Sequence, residues 1–227
     1  MVDEEALRAR MLQGLPLVSF AQLPIEVGHF ARLAAAIARV LTDYDVNVVD
    51  VEESTLPVTP AEWVALAQQR FEEGQTVHEQ GEEPEEATLA QASVDWALKP
   101  YLEWAAEQVL PYVDPDIWKW GYCPVCGGAP DFATLGEEAG ARHLLCSRCN
   151  SQWVYRRVGC PFCGITDHTK ISYYPSEDGV YRLYVCQGCR RYLKTIDLRE
   201  AARAFLLPVE RITTVAMDAA AHQEGYR

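Results

Sequence analysis

Eight cysteines lie between residues 123 and 189 as four Cys-x-x-Cys pairs, and none is left over. The pairs are Cys123/Cys126, Cys146/Cys149, Cys160/Cys163 and Cys186/Cys189. Thiolates are soft anionic ligands, and four of them close a tetrahedron around a zinc or iron ion at metal–sulfur distances of about 2.3 Å. Two residues between cysteines let a tight turn aim both sulfurs at one cation. Nineteen residues separate the first pair from the second and twenty-two the third from the fourth, but only ten lie between. This rhythm predicts two consecutive metal sites, one from Cys123, Cys126, Cys146 and Cys149, the other from Cys160, Cys163, Cys186 and Cys189.

Each site opens with a proline-bearing knuckle, Cys123-Pro124-Val125-Cys126-Gly127 or Cys160-Pro161-Phe162-Cys163-Gly164. Proline presets the first turn position, and glycine after the second cysteine accepts a positive φ without steric cost. The closing knuckles, Cys146-Ser147-Arg148-Cys149 and Cys186-Gln187-Gly188-Cys189, are plainer. A disulfide framework belongs to secreted chains, and a redox-active Cys-x-x-Cys comes singly near a βαβ pattern. Neither fits four such pairs.

All-cysteine tetrahedral sites leave no open coordination position, so neither metal is placed to activate water or bind a substrate. The chain also lacks a Ser-His-Asp or Cys-His order, a phosphate loop, a dinucleotide fingerprint and His-Glu-x-x-His. Its five histidines are scattered; only His143 and His168 fall among the cysteines, where they are candidates for lining a metal-site surface. No catalytic residues are expected, and no small-molecule substrate.

The elements that must position the cysteines follow from composition and periodicity. The 227 residues carry a formal net charge of −13, unevenly placed. Residues 1–120 hold 22 acids against 7 bases, whereas residues 121–227 hold 11 acids against 13 bases. A nucleic-acid binder concentrates positive charge to displace counterions from phosphate, and this chain does not. The N-terminus shows no secretory pattern and no stretch of eighteen apolar residues occurs, so cytoplasmic residence is expected.

Residues 1–119 read as a helical domain. Val27, Phe30, Leu33, Ala34, Ile37, Val40 and Leu41 recur at three- and four-residue steps between Pro24 and Tyr44. Val46, Val48, Val49 and Val51 suggest a short extended run. Thr59-Pro60-Ala61-Glu62 announces a second helix through a capping box, with Trp63, Leu66, Ala67 and Phe71 on its apolar side. The acidic stretch Glu79–Glu86 reads as solvated loop or helix start. A third helical pattern covers Ala87–Leu110, with Pro100 inside it expected to kink or split it.

Pro111, Pro115 and Gly121 then punctuate a junction anchored by Trp118 and Trp120. Beyond it the period drops to two, with strands expected near 129–135, 141–146, 152–158, 170–175, 180–186 and 192–197. Each site is expected at the end of a three-stranded antiparallel ribbon, at 120–159 and 160–197. Residues 198–227 revert to a helical tail with Val209, Ile212, Thr213, Val215 and Ala216 as its stripe. The expected class is α+β: an N-terminal helical domain, two tandem zinc-ribbon modules and a C-terminal helix.

Certain residues carry a resemblance. Gly121-Tyr-Cys-Pro-Val-Cys-Gly127, Arg142-His-Leu-Leu-Cys-Ser-Arg-Cys149, Trp153, Arg156 and Cys160-Pro-Phe-Cys-Gly164 resemble the formate dehydrogenase accessory protein FdhE family. Cys186-Gln-Gly-Cys189, Tyr192-Leu-Lys-Thr-Ile196, Met217-Asp218 and Glu224-Gly-Tyr226 resemble that family's ending. The resemblance implies a cytoplasmic, non-catalytic protein with two rubredoxin-like folds that helps a formate dehydrogenase catalytic subunit mature. Two metal ions per chain, iron or zinc, are expected with it. The segment Tyr192, Leu193, Lys194 and Thr195, absent from generic zinc ribbons, is the expected partner-binding surface. The alternatives are a zinc-ribbon nucleic-acid adaptor, using a basic face of Arg142, Arg148, Arg156, Arg157, Arg190 and Arg191, and a rubredoxin-like electron carrier.

Overall fold

Capping side chains set the helix starts. Asp3 accepts from the Ala6 amide at 3.1 Å at the head of α1 (Glu4–Leu12), and Glu26 accepts from the Gly28 and His29 amides ahead of α2 (Val27–Asp43). The expected capping box forms before α3 (Pro60–Gln80). Thr59 Oγ1 accepts from the Glu62 amide while Glu62 accepts from the Thr59 amide, at 3.3 and 2.9 Å. Thr88 and Gln91 make a second, unexpected box before α4 (Leu89–Val109). The computed structural model describes residues 3–44, 56–80, 87–136, 140–200 and 203–227, with the backbone alone for 76–80. The expected extended run at Val46–Val51 lies outside the described residues, as does most of the acidic stretch, from Gly81 to Glu86.

α2, α3 and α4 pack on one another. On α2 the buried line is Phe30, Ala31, Ala34 and Ala38, while Val27 and Val40 are exposed. The expected stripe is thus rotated, because small alanines let the helices approach. Trp63, Ala67 and Phe71 are buried on α3, and Leu66 packs at their margin. Pro100 does not split α4, which runs through it as one helix. Pro100 and Trp96, whose carbonyl loses its partner, both lie on the exposed side, where solvent has access to that carbonyl's side of the helix.

Six strands appear close to their expected places: β1 (Pro130–Leu135), β2 (Arg142–Cys146), β3 (Gln152–Tyr155), β4 (Ile171–Pro175), β5 (Tyr181–Cys186) and β6 (Tyr192–Asp197). They form two three-stranded antiparallel ribbons, β1-β2-β3 and β4-β5-β6. Beyond expectation, β1 pairs with β6 in parallel, Phe132 opposite Lys194 through Leu135 opposite Asp197. The ribbons therefore fuse into one six-stranded sheet of order β3-β2-β1-β6-β5-β4. Alternating side chains identify the strands of a ribbon, but which edges meet depends on contacts distant in sequence.

One buried cluster runs from Leu7 and Phe30 through Trp118 into Cys123, Leu144 and Trp153, so helices and first ribbon share a core. At the junction Trp118 is 1% exposed and its Nε1 donates to the Tyr122 carbonyl at 3.0 Å. Trp153 Nε1 donates to the Trp120 carbonyl at 3.2 Å.

The tail is two short helices, α5 (Leu207–Thr213) and α6 (Val215–Gln223), broken at Thr214. Its expected apolar stripe is not buried: Ile212 is 73% and Val215 63% exposed. Polar residues hold it instead. Glu210, 2% exposed, accepts from Tyr181 Oη, Arg203 and Thr213 Oγ1.

Candidate metal centres

All four knuckles have the same backbone. The amide of each leading cysteine donates to the carbonyl five residues on: Cys123 to Gly128, Cys146 to Ser151, Cys160 to Ile165 and Cys186 to Arg191, each at 2.9 Å. The residue after each second cysteine has positive φ: Gly127 at 74°, Asn150 at 58°, Gly164 at 71° and Arg190 at 59°. This turn points amides inward at sulfur. The Arg148 amide lies 3.4 Å from Cys146 Sγ. The Phe162 and Cys163 amides reach Cys160, Ile165 reaches Cys163, and Arg191 reaches Cys189.

The strands bring the knuckles together in the expected sets. The sulfurs of Cys123, Cys126, Cys146 and Cys149 all lie within 4.8 Å of one another, and so do those of Cys160, Cys163, Cys186 and Cys189. Individual separations are 3.5 Å for Cys123–Cys149 and Cys126–Cys146, and 3.6 Å for Cys160–Cys189. Cys163–Cys186 is 3.7 Å. A disulfide needs about 2.05 Å, so none is formed. A tetrahedron with bonds of about 2.3 Å has edges of about 3.8 Å. Both quartets can therefore hold a metal ion, and their all-sulfur chemistry suits zinc or iron.

The surroundings differ. Every cysteine of the first quartet is buried, whereas Cys163 is exposed and Cys189 half-buried in the second. The first is wrapped by the N-terminal segment, with Leu17 and Val18 amides donating to the Pro124 and Val125 carbonyls at 2.8 and 3.0 Å. Arg148 crosses to α3, its guanidinium donating to the Phe71 carbonyl at 3.2 Å and lying over the Phe71 ring. The second leans on the C-terminus, where the Arg227 amide donates to the Arg190 carbonyl at 2.9 Å and Arg190 stacks on Tyr226.

Without metal, each quartet favours one thiolate. Donation from the Cys123, Cys146 and Cys149 thiols, with Arg148 nearby, holds Cys126 well below the usual thiol range; burial pushes Cys123 and Cys146 up. Cys189 is lowered to about 5 by donation from Cys160 and from the Arg191 amide, while Cys160 is pushed up.

Among the described residues neither quartet includes a histidine. His143 sits on β2 near Trp118, Gln152 and Trp153, and His168 is exposed in the turn before β4. Of the six arginines Arg156, Arg157 and Arg190 are exposed, while the other three are buried or half-buried. Arg142 is buried, Arg148 reaches back to α3, Arg190 donates to the Glu224 carbonyl, and Arg191 covers Phe162 at 4.0 Å. The expected partner segment lies mostly inside the sheet. Tyr192, Leu193, Lys194 and Thr195 form the inner strand β6, with Leu193 2% and Thr195 0% exposed. Lys194 Nζ donates to Asp218 at 2.6 Å and to the Arg211 carbonyl at 3.1 Å, and Tyr192 Oη donates to Asp218 at 2.8 Å. The segment clamps α6 to the sheet, with only Tyr192 half-exposed.

A link between first site, helices and tail was not found in the sequence. Asn150 donates to Glu103 of α4 and accepts from Arg211 of α5, whose other nitrogen donates to the Cys146 carbonyl at 2.6 Å. No local pattern signals such a contact, which joins residues distant in sequence.

Comparison with known proteins places this geometry. Residues 122–157 match the family model described as FdhE, central domain. The chain is 33% identical over 133 residues to a "Protein FdhE homolog" of Aquifex aeolicus, covering 57% of this chain and 46% of that one. It is 32% identical over 114 residues to one of Pseudomonas aeruginosa, covering 46% and 36%. The matches thus span less than half the length of these curated relatives. The crystal structure of the FdhE protein from Pseudomonas aeruginosa shares the fold, with a TM-score of 0.60 at 22% identity, over 100% of this chain and 77% of that one.

Proposed function

We propose, from the premise that the chain belongs to the FdhE family, that it is a non-catalytic assembly factor which binds a formate dehydrogenase catalytic subunit during maturation. The eight cysteines hold two metal ions, iron or zinc, as structural centres. The observation that carries this reading is the closed sulfur set at each site: four ligands from one chain fill the tetrahedron and leave no place for substrate. Metal so held fixes loops without offering chemistry, which suits a surface presented to a partner. Among the described residues no helix is long and apolar enough to cross a membrane, and cytoplasmic residence belongs to the same proposal.

β6 is interior apart from the half-buried Tyr192, and the exposed turn at Cys163-Gly164 puts the second centre within a partner's reach. That exposure also favours a second reading, a rubredoxin-like electron carrier, which requires reversible iron oxidation at this site. The acidic balance of the chain, 33 acids against 20 bases, speaks against phosphate binding. The test is capture from cell extract at moderate salt with wild type and with Cys186→Ala/Cys189→Ala. Wild type should retain a molybdenum- or tungsten-type formate dehydrogenase catalytic subunit and the double variant should lose it. Nucleic acid released steeply by salt, in place of that subunit, would overturn the assembly reading.

A further inference from the structure

Arg142 is a buried cation without a carboxylate. It is 3% exposed, its Nη1 donates to the Gly159 carbonyl at 2.9 Å, and its buried Nε has no partner. Among the described residues it enters no ion pair; its guanidinium lies over the Tyr184 ring at 5.4 Å, with Tyr155 and Cys160 nearby. A guanidinium carries its charge at any ordinary pH, and leaving it unpaired in the interior is costly. Gly159, whose carbonyl it grips, immediately precedes the first ligand of the second quartet.

Between them lies a gap of about 10 Å³, lined by Arg142, Cys160, Cys186, Tyr184 and Arg191. That volume admits at most a single water and no separate anion. The missing negative charge is adjacent: four thiolates around a divalent ion leave a net charge of −2. Arg191, also lining the gap and stacked on Phe162, is the second cation there and likewise makes no ion pair among the described residues. The first quartet is served differently, by Arg148 of its own closing knuckle, whose side chain is anchored on α3.

We propose that Arg142 is the built-in counter-cation of the second centre, a positioning residue that raises its affinity for a divalent metal ion. This rests on the metal-binding reading above. Residues supporting a metal site from its outer shell are worth about 10- to 100-fold in affinity, and Arg142 acts through charge on one site only.

The test uses the full chain loaded with zinc, challenged by graded chelator, then alkylated and peptide-mapped to show which quartet has opened. In R142Q, Cys160, Cys163, Cys186 and Cys189 should become labelled at about 10- to 100-fold lower chelator than in wild type. Labelling of Cys123, Cys126, Cys146 and Cys149 should stay at the wild-type midpoint. R142K, which keeps the charge, should restore most of the difference. An unchanged second-quartet midpoint in R142Q would overturn the assignment, and so would equal weakening of both quartets, or R142K as weak as R142Q. A wild-type chain that protects neither quartet with zinc would instead remove the metal reading on which the assignment stands.

Discussion

Gly127, Asn150, Gly164 and Arg190 do one backbone task, yet only the glycines announce it. Side-chain-bearing residues seldom adopt a positive φ, so nothing in Cys146-Ser-Arg-Cys149 or Cys186-Gln-Gly-Cys189 declared the same turn. Asn150 combines that turn with bonds to Glu103 and Arg211. Asn150→Ala should therefore cost about 2–3 kcal/mol, from roughly 1 kcal/mol of backbone strain plus the lost charge-assisted bonds. Asn150→Gly should recover only the backbone part. Urea unfolding resolves the two, and wild-type stability in both variants would sink the account of this link. A second expectation concerns Cys189 in the metal-free chain. Its pKa, lowered to about 5, leaves a thiolate at pH 6.5 while Cys160 stays protonated. Brief iodoacetamide treatment at pH 6.5 should label Cys189 ahead of the more exposed Cys163. The sign is that of a lowered acid: the stability it lends is full above the ordinary thiol range near 8.5 and lost as pH falls through about 5. Labelling of Cys163 first would contradict this.

Among the elements, strands were legible because β-period patterns are local, and the two cysteine quartets were legible from spacing alone. What escaped was pairing and orientation. The parallel β1–β6 contact joins residues some sixty positions apart and turns Tyr192–Thr195 from a candidate surface into an interior strand. The tail misled for a related reason. Val209, Ile212 and Val215 look like a buried stripe, but the helix docks through Glu210, Arg211 and Asp218. Burial pushes the Glu210 carboxyl up, but donation from Arg203, Tyr181 and Thr213 outweighs it and leaves the carboxyl below its ordinary value. A lowered carboxylate gives stability that is present above pH about 4.5 and lost as pH falls. Protection factors in 207–223, corrected for the intrinsic pH dependence of exchange, should fall on acidification before those of β5. Glu210→Gln, which removes the charge, should lower that protection at neutral pH by roughly tenfold, the loss of about 1.5 kcal/mol expected for one hydrogen bond to a charged group. Unchanged tail protection in the variant would show that the contact does not hold it.

At the scale of the whole molecule, the first centre is built into the core of the helices while the second sits at the surface. Composition indicated an acidic helical half and a balanced cysteine half, but not that one core crosses between them. The two centres should therefore respond differently to handling, though both follow from the same sulfur geometry. Their occupancy is the central claim. Elemental analysis of chain purified without oxygen, read with its visible absorption spectrum, tests it most directly. About two ions per chain are predicted, with thiolate-to-iron bands for iron or a featureless spectrum for zinc, falling to about one when Cys186 and Cys189 are both replaced by alanine. A wild-type chain carrying clearly fewer than two ions, or a double variant that keeps both, would contradict it.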